Sequence, residues 1–142
     1  MEKKGVLPSG KKIKGYRIKN FIKSYDDSQV ECYLATDNEN MEYVLKLFRG
    51  PLSGRSVEYN ARGLFQGNLC PYAQVVASGT CTVNNEKCHY MVRKIFKGDT
   101  LASIIKNKKK YTWKEAKYVI FQVLTALKYL HNNKISIVHN NI

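Results

Sequence analysis

Residues 43–48 read Tyr-Val-Leu-Lys-Leu-Phe, a short apolar stretch with one lysine set into it. Side chains alternate between the two faces of a strand, so Val44, Lys46 and Phe48 are expected to share one face. An ammonium flanked by apolar side chains is costly to bury without a partner. Lys46 therefore either snorkels from an edge strand, with its stem against the sheet, or meets a fixed anion.

The composition is that of a folded and strongly basic chain. It has 142 residues, 44% of them hydrophobic, which is typical of one globular domain rather than of a disordered segment. Lysine and arginine number 24 against 11 aspartate and glutamate, and the net charge of +13 suits phosphate, nucleic acid or acidic partners. The basic residues are scattered, and aromatic residues are not interleaved with them in a stacking pattern. A nucleic-acid-binding protein is an alternative that rests on charge alone.

Membrane and export signals are missing from the sequence. It contains no apolar run of transmembrane length, and no signal-peptide core follows the basic residues at its start. The four cysteines include no C-x-x-C pair, so reduced thiols are expected. We expect an intracellular, cytoplasmic protein without a membrane partner.

Five strands are predicted after a loose basic leader at residues 1–15. Apolar or alternating segments bounded by turn residues define them: 16–22, 30–35, 41–48, 74–83 and 87–95. The first three are joined by short turns, as in an antiparallel meander. A helix is predicted between the third and fourth strands, from residue 53 or 56 to residue 65.

Two further helices are predicted towards the end of the chain. The first is short and covers residues 100–106. The second begins with a capping box, in which Thr112 is the N-cap and Glu115 reaches back to it. Apolar residues at helical spacing continue from Val119 to Leu130, and residues 135–138 read as a short buried strand.

This order of elements resembles that of protein kinases. Val44-Leu45-Lys46 is similar to the end of the third-strand Val-Ala-Ile-Lys motif, whose lysine pairs with a glutamate on helix αC; Glu58 stands at that position. Residues 129–131, Tyr-Leu-His, resemble the end of kinase helix αE. Residues 137–142, Ile-Val-His-Asn-Asn-Ile, fall where kinases have Ile-Val-His-Arg-Asp-Leu.

The resemblance implies an α+β fold and a partial protein kinase domain at residues 16–142. Residues 16–96 would form the N-lobe, a five-stranded antiparallel sheet with helix αC, and the hinge. Residues 97–142 would begin the C-lobe with helices αD and αE. Because a kinase C-lobe continues beyond the catalytic loop, we expect a fragment of a longer protein whose apolar αE face meets the rest of that lobe or another protein.

The ligand implied by the resemblance is ATP. Lys46 would bind the α- and β-phosphates, and Glu58 would hold Lys46 in place. Cys32 and Val44 would cover the adenine ring. The hinge backbone would read the adenine edge, and an acidic residue after it would lie near the ribose; these positions are Lys94, Ile95, Phe96 and Asp99.

The chain departs from the kinase pattern at the catalytic and phosphate-binding loops. His139 would be the structural histidine of the catalytic loop, but Asn141 replaces the catalytic aspartate, and an amide cannot act as that base. Tyr25, Asp27 and Val30 stand at the three glycine positions of the phosphate loop. An arginine, Arg93, occupies the gatekeeper position.

The functional expectation is a fragment of an ATP-dependent, serine/threonine-type protein kinase that is inactive on its own. The family's metal ligands follow the position of residue 142, so Mg²⁺ is expected only in a longer form and ATP binding is expected to be weak. A protein substrate is implied, although a small-molecule phosphoacceptor is also compatible with this fold. The alternative is a pseudokinase or scaffold that binds a partner through the αE face. The resemblance favours these partners over nucleic acid.

Overall fold

The computed structural model describes residues 5–25, 29–50, 75–95, 97–107 and 110–131. Its strands are β1 (Lys12–Ile13), β2 (Tyr16–Tyr25), β3 (Val30–Thr36), β4 (Glu42–Phe48), β5 (Val75–Val83) and β6 (Glu86–Lys94). The helices within these ranges are α1 (Leu101–Lys106) and α2 (Trp113–His131). The chain divides into two compact units, Met1–Ile95 with the strands and Phe96–Ile142 with the two helices.

The strands form one antiparallel sheet in the order β1-β2-β3-β4-β6-β5. β4 therefore lies inside the sheet, between β3 and β6. Strands β1 and β5 are its two edges, yet residues of both line a single groove. The sheet is thus curled into a nearly closed, barrel-like shape.

The main core lies on the sheet face that carries Leu45 and Leu47. Both leucines are fully buried, as their apolar neighbours on β3 and β6 also are. Burial of this face supplies most of the driving force for folding the sheet, because buried apolar area is the dominant stabilising term. The buried members of this cluster are Leu7, Ile13, Ile18, Tyr33, Ala35, Leu45, Leu47, Val83, Cys88, Tyr90 and Val92.

A smaller cluster lies on the opposite face. Phe48, Val75 and Met91 are buried there, and Val30 packs against them. Lys46 shares this face, since it is two residues from Phe48 on the same strand. Residues 43–48 of the central strand β4 are therefore apolar on both faces except at this lysine.

The predicted fold class, a five-stranded kinase N-lobe followed by helices αC, αD and αE, is wrong. The sheet has six antiparallel strands in a barrel-like arrangement, accompanied in the described ranges by helices α1 and α2. The additional strand β1 lies in the segment predicted to be a loose leader. Residues 5–15 of that segment are held against the sheet, because Leu7 and Ile13 insert into the main core and β1 pairs with β2. The predicted helix at residues 53–65 lies outside the described residues.

Both described helices begin with a side-chain cap. The Thr100 hydroxyl accepts a hydrogen bond from the Ser103 N–H at the start of α1. At the start of α2 the Thr112 hydroxyl accepts from the Glu115 N–H at 3.3 Å, and the Glu115 carboxylate accepts from the Thr112 N–H at 2.8 Å. The capping box predicted from the sequence is confirmed. Neither described helix combines the length and apolar character needed to cross a membrane.

Replacement of Thr112 by alanine is expected to weaken the first turn of α2 by about 1 kcal/mol, because the Glu115 N–H loses its acceptor. Amide hydrogen exchange in that turn should become about five times faster. Thr125→Ala is the matched control, since its hydroxyl bonds to the Phe121 carbonyl within the helix and is not a cap. Equal acceleration in both variants would contradict a specific role for the capping box.

Candidate functional site

Lys46 lies at the centre of a row of residues that crosses the sheet. It is directly opposite Cys32 on β3 and Met91 on β6. Cys32 and Met91 are buried, and Lys46 is half-buried. The alternation of β4 places this lysine between Val44 and Phe48 on the same face, as the sequence predicted.

Val44 extends the apolar part of this face on one side of Lys46. It is half-buried and lies opposite Leu34 on β3 and Arg93 on β6. The structure therefore brings together three of the predicted binding residues, namely Cys32, Val44 and Lys46. They share one face of the sheet, on which the half-buried Val44 is apolar and Lys46 supplies an ammonium that can bind an anion.

A second lysine and a tyrosine flank this row. Lys23 on β2 is opposite Cys32, so Lys23 and Lys46 lie on either side of that cysteine. The Lys23 ammonium is 4.6 Å from the centre of the Tyr25 ring, and the Lys46 ammonium is 6.0 Å from it. Both distances are within the range of cation–π attraction. The Tyr25 ring thus holds two cations near one point of the sheet.

Sequence reasoning missed the participation of Lys23. A signal was present, because Lys23 and Tyr25 are two residues apart at the end of one strand and so share a face. The approach of the Tyr25 ring to Lys46, however, depends on the register between β2 and β3, which shifts between Phe21 and Lys23. An irregularity of this kind cannot be placed from the pattern of hydrophobic residues alone.

The predicted hinge residues lie at the end of β6 and beyond it. Lys94 is the last residue of that strand, pairs with Tyr43 and is exposed. Ile95 follows it and is also exposed. Asp99 is exposed and belongs to the second unit, in the segment before α1.

The remaining predicted site residues lie outside the described residues. They are Glu58, Phe96, His139 and Asn141. The Lys46–Glu58 ion pair, the role of Phe96 in the hinge and the altered catalytic loop accordingly stay predictions.

The opposite face of β3, next to Cys32 in sequence, carries a buried acidic group that sequence reasoning did not single out. Glu31 is only 2% exposed and forms a salt bridge of 3.2 Å with the Arg49 guanidinium. Its carboxylate also accepts hydrogen bonds from the Tyr33 hydroxyl and, at 3.2 Å, from the Val6 N–H. The Tyr33 hydroxyl accepts in turn from the Leu7 N–H at 3.1 Å. This Glu31 network fastens the segment before β1 to the sheet.

Burial and hydrogen bonding keep the groups around the main core in their protonated forms. Burial, followed by the hydrogen bond to Glu31, raises the pKa of Tyr33. Burial likewise raises the pKa of the Cys81 and Cys88 thiols, which lie opposite each other on β5 and β6. Together with Cys32, these are free thiols. Within the described ranges, His, Cys, Asp and Glu side chains do not gather into a group able to hold a metal ion.

Comparison with known proteins gives a likeness of fold without a likeness of sequence. No family model matches the sequence, and no curated protein matches it either. The fold matches 105 solved chains, among them the kinase domain of Mycobacterium tuberculosis PknI, crystallised as a double mutant. That match has a TM-score of 0.66 at 14% identity and covers 91% of this chain and 52% of the other, so this chain spans about half the length of that kinase domain. The likeness shows the fold alone, and the fold is kinase-like.

Proposed function

We propose that this chain is a kinase-like module that binds the phosphates of ATP weakly through Lys46 and does not complete phosphoryl transfer on its own. The observation that supports this most directly is the position of Lys46. It is half-buried at the centre of the sheet, opposite the buried Cys32, in a fold that is kinase-like. A half-buried lysine in this setting can donate charge-assisted hydrogen bonds to the phosphate oxygens of a nucleotide.

The surroundings of Lys46 suit the two parts of a nucleotide. The half-buried Val44, on the same face as the buried Cys32, offers an apolar contact for the base. Lys23, held over the Tyr25 ring, brings a second ammonium to the side where phosphates would lie. Two cations near one point attract a polyanion more strongly than one, and the effect decreases with ionic strength.

Weak binding follows from the groups that the sequence lacks. Tyr25, Asp27 and Val30 replace the glycines whose backbone amides would approach the phosphates. Asn141 at the position of the catalytic base carries no negative charge and cannot accept a proton from a substrate hydroxyl. Mg²⁺ coordination is proposed only for a longer form of the protein.

Titration calorimetry with ATP tests the proposal. The full chain should bind ATP with a Kd of the order of 1 mM, which corresponds to about 4 kcal/mol. The affinity should be nearly independent of Mg²⁺. Lys46→Ala should reduce it by about tenfold or more, since one charge-assisted contact to phosphate is lost. Lys19→Ala is the matched control, because Lys19 is an exposed lysine of β2.

Two results would contradict this function. Micromolar binding that requires Mg²⁺ would mean that the phosphate site is built differently. Unchanged affinity in Lys46→Ala, or an equal loss in Lys19→Ala, would remove Lys46 from the site.

A scaffold function is the second candidate, and the exposed face of α2 favours it. Trp113 is 79% exposed and Phe121 65% exposed, and Ile120 and Leu124, one turn apart, are also exposed. Apolar area of this kind on a helix marks a surface that another element or protein covers. Complete absence of ATP binding by the folded chain would favour this function over the first.

A further inference from the structure

A groove of about 530 Å³ lies between the two edges of the curled sheet, away from the row of residues around Lys46. Lysines from both sides line it: Lys11, Lys12 and Lys14 from the β1 segment, and Lys87 from β6. The exposed hydroxyls of Thr80 and Thr82 on β5 complete its polar lining. We refer to these six residues as the basic groove. Lys11, Lys12 and Lys14 are neighbours in sequence, and the curl of the sheet brings Lys87 to the same groove.

The basic groove concentrates positive charge that its own residues do not neutralise. Its described lining includes no carboxylate. Lys12 is directly opposite Arg17 in the β1–β2 register, and like charges in opposed positions repel. Glu86, next to Lys87 on β6, is not among the residues that line the groove. A bound anion would relieve this repulsion.

The turn that joins β1 and β2 presents a lysine where the backbone favours other residues. Lys14 has a φ of +47° and Gly15 a φ of +95°, and the flanking residues Ile13 and Tyr16 pair directly. Such left-handed turn positions favour Asn, Asp and Gly. The chain follows that preference in the two-residue turn between β5 and β6, which uses Asn84 and Asn85 at φ values of +50° and +64°. At position 14 the left-handed backbone therefore carries a lysine, whose ammonium lines the groove, and not one of the residues that this conformation favours.

The chemistry of the lining indicates what the groove accepts. Ammonium and hydroxyl groups donate hydrogen bonds to phosphate oxygens, and the described lining contains no aromatic ring on which a base could stack. Its walls are the two strand edges β1 and β5, so it fits one extended chain better than a duplex. Recognition would therefore involve the backbone of a single strand and not its bases.

We propose that the basic groove binds the phosphodiester backbone of single-stranded nucleic acid, without preference for base sequence. The affinity depends on salt, because each phosphate contact releases counterions. Lysine side chains from the two sides of the groove contact successive phosphates, and the threonine hydroxyls donate to them. This site is separate from the nucleotide site proposed at Lys46 and does not depend on it.

Fluorescence anisotropy with a labelled oligouridylate of about 12 nucleotides tests this proposal on the full chain. The groove variant combines Lys12→Gln, Lys14→Asn and Lys87→Gln. It should bind at least about tenfold more weakly at 50 mM salt, and its slope of log K against log salt should be shallower by about 2. Asparagine suits the left-handed backbone at position 14, so the variant should fold at least as well as the native chain.

A control variant with the same change of charge distinguishes binding at the groove from general attraction to the net charge of the chain. It combines Lys106→Gln, Lys117→Gln and Lys128→Gln, all exposed lysines of the two helices. This control should keep more of the affinity and of the salt slope than the groove variant. Equal losses in the two variants would overturn the proposal, because attraction would then be a property of the whole basic chain.

A second probe tests whether the groove prefers nucleic acid or an acidic protein. An oligoglutamate peptide of equal charge should bind more weakly than the oligouridylate. Tighter binding of the peptide would overturn the proposal in favour of an acidic protein partner. Failure of both probes to bind would also overturn it, and would leave the lysines as residues that keep the strand edges from pairing with other chains.

Discussion

Glu31→Gln is expected to lower the free energy of unfolding by about 3 kcal/mol, because it removes one partner of a buried ion pair. Glu31 is almost fully buried, and its carboxylate accepts hydrogen bonds from the Tyr33 hydroxyl and the Val6 N–H and forms the salt bridge with Arg49. A neutral amide of the same size cannot accept all of these bonds with the same strength. Arg49 is 25% exposed, so water compensates part of the loss and the lower end of the usual range applies.

Urea unfolding followed by far-UV circular dichroism measures this change. Glu42→Gln is the matched control, since Glu42 is an exposed carboxylate on β4, and it should shift the free energy of unfolding by less than about 0.5 kcal/mol. A loss below about 1 kcal/mol in Glu31→Gln would show that the network contributes little to stability. The segment before β1 would then be held mainly by Leu7 and Ile13.

The longer strands could be predicted because each carries a clear hydrophobic pattern between turn residues. Strand β4 shows this best, since its residues 43–48 alternate between two largely buried faces and Lys46 is the only charged residue among them. The hairpin of β5 and β6 was equally clear, because Asn84 and Asn85 are residues that a two-residue turn favours. The capping box of α2 was predictable for the same reason, as it depends on neighbours in sequence.

Strand β1 could not be predicted because its sequence carries almost no pattern. Ile13 is its only apolar residue, and lysines surround it. Its place in the sheet depends on the partner β2 and on the insertion of Leu7 and Ile13 into the main core. Contacts of this kind are set by tertiary packing and override local propensity.

The candidate site was predictable in part, for a related reason. Strand alternation predicted that Val44 and Lys46 share a face, and the pairing of β3 with β4 places Cys32 opposite Lys46; their part in a binding site stays a prediction. The Glu31 network was not foreseen, although Glu31 and Tyr33 share a face of β3 that is otherwise apolar. A carboxylate in such a position has to find a partner, and Arg49, just after the paired strand β4, was a candidate visible in the sequence.

Substitutions on the two faces of β4 should have opposite effects: one should lower stability and the other should lower the affinity for ATP. Leu45→Ala is expected to lower the free energy of unfolding by about 3 kcal/mol, because Leu45 is fully buried between Tyr33 and Val92 and its truncation leaves a cavity in the main core. Its effect on ATP affinity should be small, since its side chain points away from Cys32 and Lys46. Lys46→Ala should do the reverse, reducing ATP affinity while changing stability by less than about 1 kcal/mol.

Urea unfolding measures the free energy of unfolding of the two variants, and calorimetry measures their affinity for ATP. Together they distinguish effects on stability from effects on binding at adjacent residues of one strand. If Leu45→Ala abolished ATP binding while the chain stayed as stable as the native one, the assignment of the two faces would be inverted. If Lys46→Ala unfolded the chain, Lys46 would belong to the structural core, and its assignment to ligand binding would be overturned. The expected opposite responses would instead assign the core to one face of β4 and nucleotide binding to the other.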